Sequence, residues 1–180
     1  MKNVVVICAC FAVMTACSSK PEEKAPEPVA ETKPQETEFA DSKYVEMGKR
    51  DMAALNANDL DGFMNSFSDN ARYYWSGGDS LIGKAAIGDF WKKRFTTLVD
   101  SAVFFNDIWT PLKVNVSQRG SDVPGVWLLS WYEVKVKYKN GQKLRYRVHS
   151  DFHYDSSDKI DIAVLYMDRA PIVAALAKKK

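Results

Sequence analysis

Apolar residues recur at helical spacing through the first part of the chain and alternate with polar ones through the second. Between Ser42 and Ala57, Tyr44, Met47, Met52 and Leu55 fall near one side of a helix. Asp59 is placed to cap a second, shorter helix carrying Leu60, Phe63, Met64 and Phe67. The spacing then predicts a short strand over Tyr73–Trp75 and a third helix over Lys84–Leu98, with Ile87, Phe90, Trp91 and Phe95 on its apolar side. Beyond Val99 the period changes to two, in runs over about 101–116, 125–139, 142–155 and 159–169. Asn140-Gly141 reads as a two-residue hairpin turn, and Ser156–Asp158 as the next connection. Helices followed by a series of strands predict an α+β domain, with three N-terminal helices packed on a curved, mainly antiparallel sheet.

The turn decides which side chains meet. A two-residue loop sets Trp131 opposite Ser150, Leu129 opposite Phe152, Trp127 opposite Tyr154 and Glu133 opposite Val148. These eight residues form the face expected beneath the helices, because it holds the larger apolar area. The other face gathers Tyr132, Val134, Val136, Arg145, Arg147, His149 and Asp151, and is expected on the convex outside. In "SDNARYYWSGG", residues 68–78, three consecutive rings on a strand cannot all point into one core. Tyr73 and Trp75 are expected to share the inward face while Tyr74 points away.

The N-terminal segment reads differently. "MKNVVVICACFAVMTAC" has one early cation, Lys2, and an apolar run from Val4 to Val13 too short for a permanent membrane helix, the pattern of a secretory signal. Its end, "MTAC", resembles the lipobox of bacterial lipoproteins, which implies lipidation of Cys17 and anchorage of the chain to a membrane of the cell envelope. Residues 18–39 hold most of the prolines and many glutamates but little to bury, and are expected to form an extended tether. "SSKPEE" just after Cys17 also resembles the acidic signals that direct some lipoproteins to the outer leaflet of the outer membrane, so the domain is expected to face the periplasm or the surface. The domain itself is expected over residues 40–175, followed by a basic tail at 176–180.

Composition narrows the chemistry. All three cysteines, Cys8, Cys10 and Cys17, lie in the signal, so the domain has no thiol for a disulfide, a thiolate metal site or a nucleophile. The net charge of +2 combines an acidic tether with the terminal Lys178–Lys180, which leaves a nearly neutral domain with no basic surface for nucleic acid. His149, Asp151 and His153 share a strand face, but positions i and i+4 on a strand are about 13 Å apart, too far to converge on one metal ion. "SGGDS" at 76–80 lacks the lysine and helix of a phosphate loop and reads as a turn. Neither a metal nor another cofactor is expected.

"NANDLDGFMNSFSDNARYYW", "IGKAAIGDFW" and "YKNGQKLRYRVHSDFHYDSSDKIDIAVLYMD" together resemble the SnoaL-like branch of the nuclear transport factor 2-like superfamily, over about residues 43–170. The resemblance implies a cone-shaped fold and pairing of two copies through the convex sheet face, where Tyr132, Val134 and Val136 are expected. It is nearly silent on activity. The catalytic positions of the superfamily's steroid isomerases fall here on Asp51, Trp75 and Ser150, and none keeps the catalytic residue. An indole cannot accept a proton at neutral pH, so that mechanism is not expected. The expected function is binding, without catalysis, of a small apolar or aromatic ligand or of a partner, in a cone-shaped cavity lined by Tyr73, Trp75, Trp91, Trp131, Phe152 and Tyr166, with Asp51, Glu133 and Ser150 also at the site. The alternative is an isomerase- or dehydratase-like enzyme in which Asp51 and Glu133 act as acid and base.

Overall fold

The computed structural model describes residues 35–117 and 123–177. The signal, Cys17, the tether to residue 34 and the terminal lysines lie outside the described residues. The chain order is β1 (Thr37–Phe39), α1 (Lys43–Asn56), α2 (Leu60–Met64), β2 (Phe67–Trp75), β3 (Ser80–Ile82) and α3 (Lys84–Lys93). A π-helical turn, Arg94–Leu98, extends α3 and leads into β4 (Val99–Val114), β5 (Gly125–Tyr138), β6 (Lys143–Tyr154), β7 (Ile160–Tyr166) and α4 (Ala170–Ala177). The seven strands form one curved sheet in the order β1-β4-β5-β6-β7-β2-β3, antiparallel except for the β2–β7 pair.

The first helices form for the reasons their sequences suggest. Asp59 caps α2, its carboxylate accepting from the Gly62 N–H at 2.8 Å. α1 buries Tyr44, Met52 and Leu55, and α3 buries Ile87 and Trp91. Four elements depart from expectation, the unpredicted short strand β3 among them. Phe67 opens the nine-residue β2 instead of closing a helix. Thr37–Phe39, assigned to the tether by composition, pairs as an edge strand with Leu112–Val114. A fourth helix, α4, follows the last strand, with Pro171 in its first turn, where the missing N–H costs nothing. The Asp168 carboxylate accepts from the Ala170 N–H just before it, at 2.9 Å.

The β5–β6 hairpin is the main correction. Its loop has three residues, Lys139-Asn140-Gly141, closed by Tyr138 N–H to Gln142 O at 2.8 Å and Gly141 N–H to Tyr138 O at 2.9 Å. Gly141 sits at φ +88°, the left-handed position that completes a type I turn with a bulge and that glycine adopts without strain. The extra residue slips the register by one, so Trp131 faces His149 and Ser130 faces Ser150. A slip of one exchanges the faces of a strand. Leu128, Tyr132, Val134 and Val136 of β5 therefore join Val148, Ser150 and Tyr154 of β6 on the helix-covered face. Trp127, Leu129, Trp131 and Glu133 lie on the open one. Val134 and Val136, expected in a convex pairing patch, are core residues. The hydrophobic residues exposed on the open side include instead Val103, Ile108, Trp131 and Tyr166.

α1 lies tight against the sheet at Gly48, where a Cβ would come within 2.7 Å of both Leu128 Cδ2 and the Trp109 ring. Leu128 is fully buried and has no room to yield. Gly48→Ala should therefore destabilise the domain by about 1–3 kcal/mol in urea denaturation, because overpacking outweighs the roughly 1 kcal/mol gain in helix propensity. A variant more stable than the parent would show that the helix can move away at little cost.

Candidate functional site

Between α3, the π-helical turn, α4 and the sheet lies a cavity of about 330 Å³. Its aromatic wall runs as a chain of ring contacts: Tyr73 to Trp75 at 4.8 Å, Trp75 to Phe90 at 5.0 Å, Phe90 to Trp91 at 5.8 Å and Trp91 to Phe95 at 6.0 Å. Strand alternation brings Tyr73 and Trp75 inward and sends Tyr74 to the opposite side. The sheet contributes Tyr132, Val134 and Val136 from β5 with Tyr146 and Val148 from β6. Ile172, Val173 and Leu176 of α4 close another side. That helix is held at its start by an ion pair between Arg169 and Asp79, and near its end by Asn140 Nδ2 donating to Ala175 O at 2.8 Å.

The polar groups in this wall are few and mostly donors. Burial pushes the Tyr132 phenol up to about 12, and raises Tyr73 and Tyr146 as well, so all three hydroxyls stay protonated at neutral pH. The Arg94 guanidinium acts against burial on both Tyr73 and Tyr146. Trp91, only 9% exposed, has a buried indole N–H with no hydrogen-bond partner. The one carboxylate lining the cavity, Asp79, is committed to Arg169. Chemically, the arrangement can surround an apolar body and donate hydrogen bonds to an acceptor on it.

Of the nine residues expected at the site, Tyr73, Trp75 and Trp91 line this cavity. Asp51 does not: it lies under α1, where its Oδ1 accepts from Ser66 Oγ at 2.5 Å and Arg50 Nη2 at 3.4 Å, while Oδ2 is buried without a partner. Glu133 lies on the open face, accepting from Arg145 Nε at 2.5 Å and Asn106 Nδ2 at 3.1 Å, which draws its carboxyl down to about 2. The sheet thus separates the two carboxylates expected to work together. Trp131, 42% exposed, and Tyr166 are also outside, stacked on the two sides of His149 at 4.6 and 5.4 Å. Ser150 and Phe152 do face the helices, but Ser150 bonds the Ser130 hydroxyl at 3.0 Å and Phe152 packs against the core, neither reaching the cavity. The displacement of Trp131 and Glu133 on β5 follows from the one-residue slip.

Tyr132, Tyr146 and Arg94 are the polar-tipped lining residues of most consequence among those that sequence reasoning missed. The alternation of β5 contained a signal for Tyr132, since the β5 residues expected inward included the charged Glu133 whereas Tyr132, Val134 and Val136 carry no charge. Among the described residues no three histidine or carboxylate side chains converge as a metal site. His149 Nε2 instead meets Asp151 at 2.8 Å, and His153 Nδ1 meets Asp161 at 2.5 Å.

The chain belongs to the SnoaL-like domain family, whose model matches residues 49–160. The fold is also that of solved structures of the nuclear transport factor 2-like type. A candidate polyketide cyclase from Xanthomonas campestris pv. campestris is 14% identical, with 76% of this chain and 98% of that chain covered and a TM-score of 0.60. A second candidate cyclase, from Pseudomonas putida KT2440, is 19% identical over 73% and 96% of the two chains, with a TM-score of 0.58. A candidate isomerase from Bacillus subtilis is 16% identical over 74% and 92%, with a TM-score of 0.57. No curated protein sequence matches the chain. At these identities the likeness to the solved structures concerns the fold alone.

Burial pushes the Asp51 carboxyl up against the opposing pull of Ser66 and Arg50. A carboxyl raised on folding binds its proton more tightly in the native state, so its contribution is most favourable in acid and is lost as pH rises from the ordinary carboxylate value through the raised one. Asp51→Asn removes that loss. The stability of the variant relative to the parent should therefore improve between pH about 4 and pH about 7 in urea denaturation. A relative stability that is flat or falls over this range would contradict the assignment.

Proposed function

We propose that the helix-covered cavity binds a small apolar or aromatic molecule, and that the domain serves as a binding module carried on a lipid anchor at Cys17 at the cell envelope. The observation that carries the first part is the continuous aromatic wall around about 330 Å³, a volume suited to a small ligand. Its lining offers neutral hydroxyls and an indole N–H where an acid–base enzyme would place a free carboxylate or imidazole. The names of the similar structures favour a second reading, in which the same cavity turns over its ligand. That reading calls for a base other than Asp51 or Glu133, since neither lines the cavity.

The neutral fused-ring ketone 2-acetylnaphthalene is a suitable probe, followed by calorimetry or by quenching of tryptophan fluorescence. Trp75→Ala should weaken its binding about 10- to 100-fold, because a large ring leaves the wall and its stacking contacts go with it. Trp131→Ala, on the other side of the sheet, should leave the affinity unchanged. The reverse pattern would place the binding surface on the open face and defeat the proposal.

The anchor rests on the apolar run that ends in "MTAC". Two or three acyl chains at Cys17 would hold the protein to a membrane durably, since each buried methylene contributes roughly 0.8 kcal/mol. Cys17→Ser should release the protein from the membrane fraction or leave it unprocessed. A variant retained in membranes at the processed size would show that the anchor lies elsewhere.

A further inference from the structure

The cavity is not uniformly apolar, and its polar atoms gather rather than scatter. The Trp91 N–H is buried without a partner, although the Tyr73 hydroxyl is near enough to feel it. Arg94, at the start of the π-helical turn, acts on both Tyr73 and Tyr146 and also lines the cavity. Among the described residues no carboxylate forms an ion pair with Arg94. One corner therefore holds an indole N–H, two neutral hydroxyls and an uncompensated guanidinium. All can donate, and none is a carboxylate that would repel an anion.

Building on the cavity reading, we propose that the ligand is a planar aromatic or fused-ring molecule bearing an anionic oxygen, a carboxylate or a phenolate, seated against Trp91 Nε1, Tyr73 and Arg94. The rings of the ligand would lie along the aromatic wall while its oxygen supplies the acceptor that the Trp91 N–H lacks. A buried donor left unpaired is costly, and hydrogen bonds to an ionised acceptor are about twice as strong as neutral ones. A hydrocarbon of the same shape would leave that donor unmatched. A bound cation would meet Arg94 with like charge. The wall therefore selects for charge sign as well as for shape.

The test compares two probes of similar size on the full chain: 2-naphthoate, which is anionic, and 2-acetylnaphthalene, which keeps the rings and a carbonyl oxygen without the charge. The parent protein should bind naphthoate at least ~10-fold more tightly. Arg94→Met keeps the apolar stem and should abolish that preference, weakening naphthoate far more than the ketone. Trp91→Phe keeps a ring and should weaken both probes, because both present an oxygen to the lost donor. Thermal melts of the two variants confirm that each is folded before affinities are compared. Equal affinity of the parent for the two probes would overturn the inference while leaving the cavity as a binding site. Failure of both probes to bind the parent would overturn the cavity reading together with it. A naphthoate preference that survives Arg94→Met would remove Arg94 from the site and refute the proposed anion corner.

Discussion

Tyr138 and Gln142 close a three-residue loop, and the facing of every side chain on β5 and β6 follows from that closure. Gly141, at φ +88°, accommodates the bulge that makes the loop three residues long instead of two. With this register, Tyr132, Val134 and Val136 turn toward α3 and α4, where Tyr146 and Val148 meet them. The cavity floor is thus a consequence of a turn at the far end of the hairpin. The same loop supports the roof as well, since Asn140 donates to the Ala175 carbonyl of α4.

The sheet also sorts the charges. On its open face Glu133, Arg145, His149 and Asp151 engage one another or nearby groups, and the Trp131–His149–Tyr166 stack stands in solvent. In the cavity on its covered face the titratable groups are tyrosines held neutral by burial, the Asp79–Arg169 pair, and Arg94. A site of this kind discriminates by shape and by hydrogen-bond donation. Proton abstraction would need a base, and the phenols are pushed away from that role.

Much of the fold was legible from periodicity. α1, α2 and α3 declared themselves through Tyr44, Met52, Phe63, Ile87 and Trp91, and the long alternating runs located four of the strands. The edge strand β1 has a single large apolar residue, Phe39, which is itself exposed, so nothing distinguished it from the polar segment before it. α4 is eight residues, four of them alanine and the second a proline, and its helical character depends on packing Ile172 and Ala175 against the domain. Tyr73, Trp75 and Trp91 were recoverable as site residues because β2 and α3 carry an unambiguous period. Trp131 and Glu133 were misplaced because the dipeptide Asn-Gly serves two-residue and three-residue loops alike, and only the hydrogen bonds around Tyr138 separate them, whereas Tyr166 is outside because it pairs with His149 across β6–β7. Glu133 facing an expected core was the physical conflict that pointed to the other register.

The five tryptophans sample the distinct surfaces of the domain: Trp75 and Trp91 in the cavity, Trp109 against α1, and Trp127 and Trp131 on the open face. Each indole N–H gives its own signal in a nitrogen-15 correlation spectrum, assigned by replacing the rings one at a time with phenylalanine. Titration with 2-naphthoate is the most direct measurement of where the domain binds. A cavity site predicts saturable shifts of the Trp75 and Trp91 indoles with Trp127 and Trp131 unmoved. Shifts confined to Trp127 and Trp131 would contradict the account.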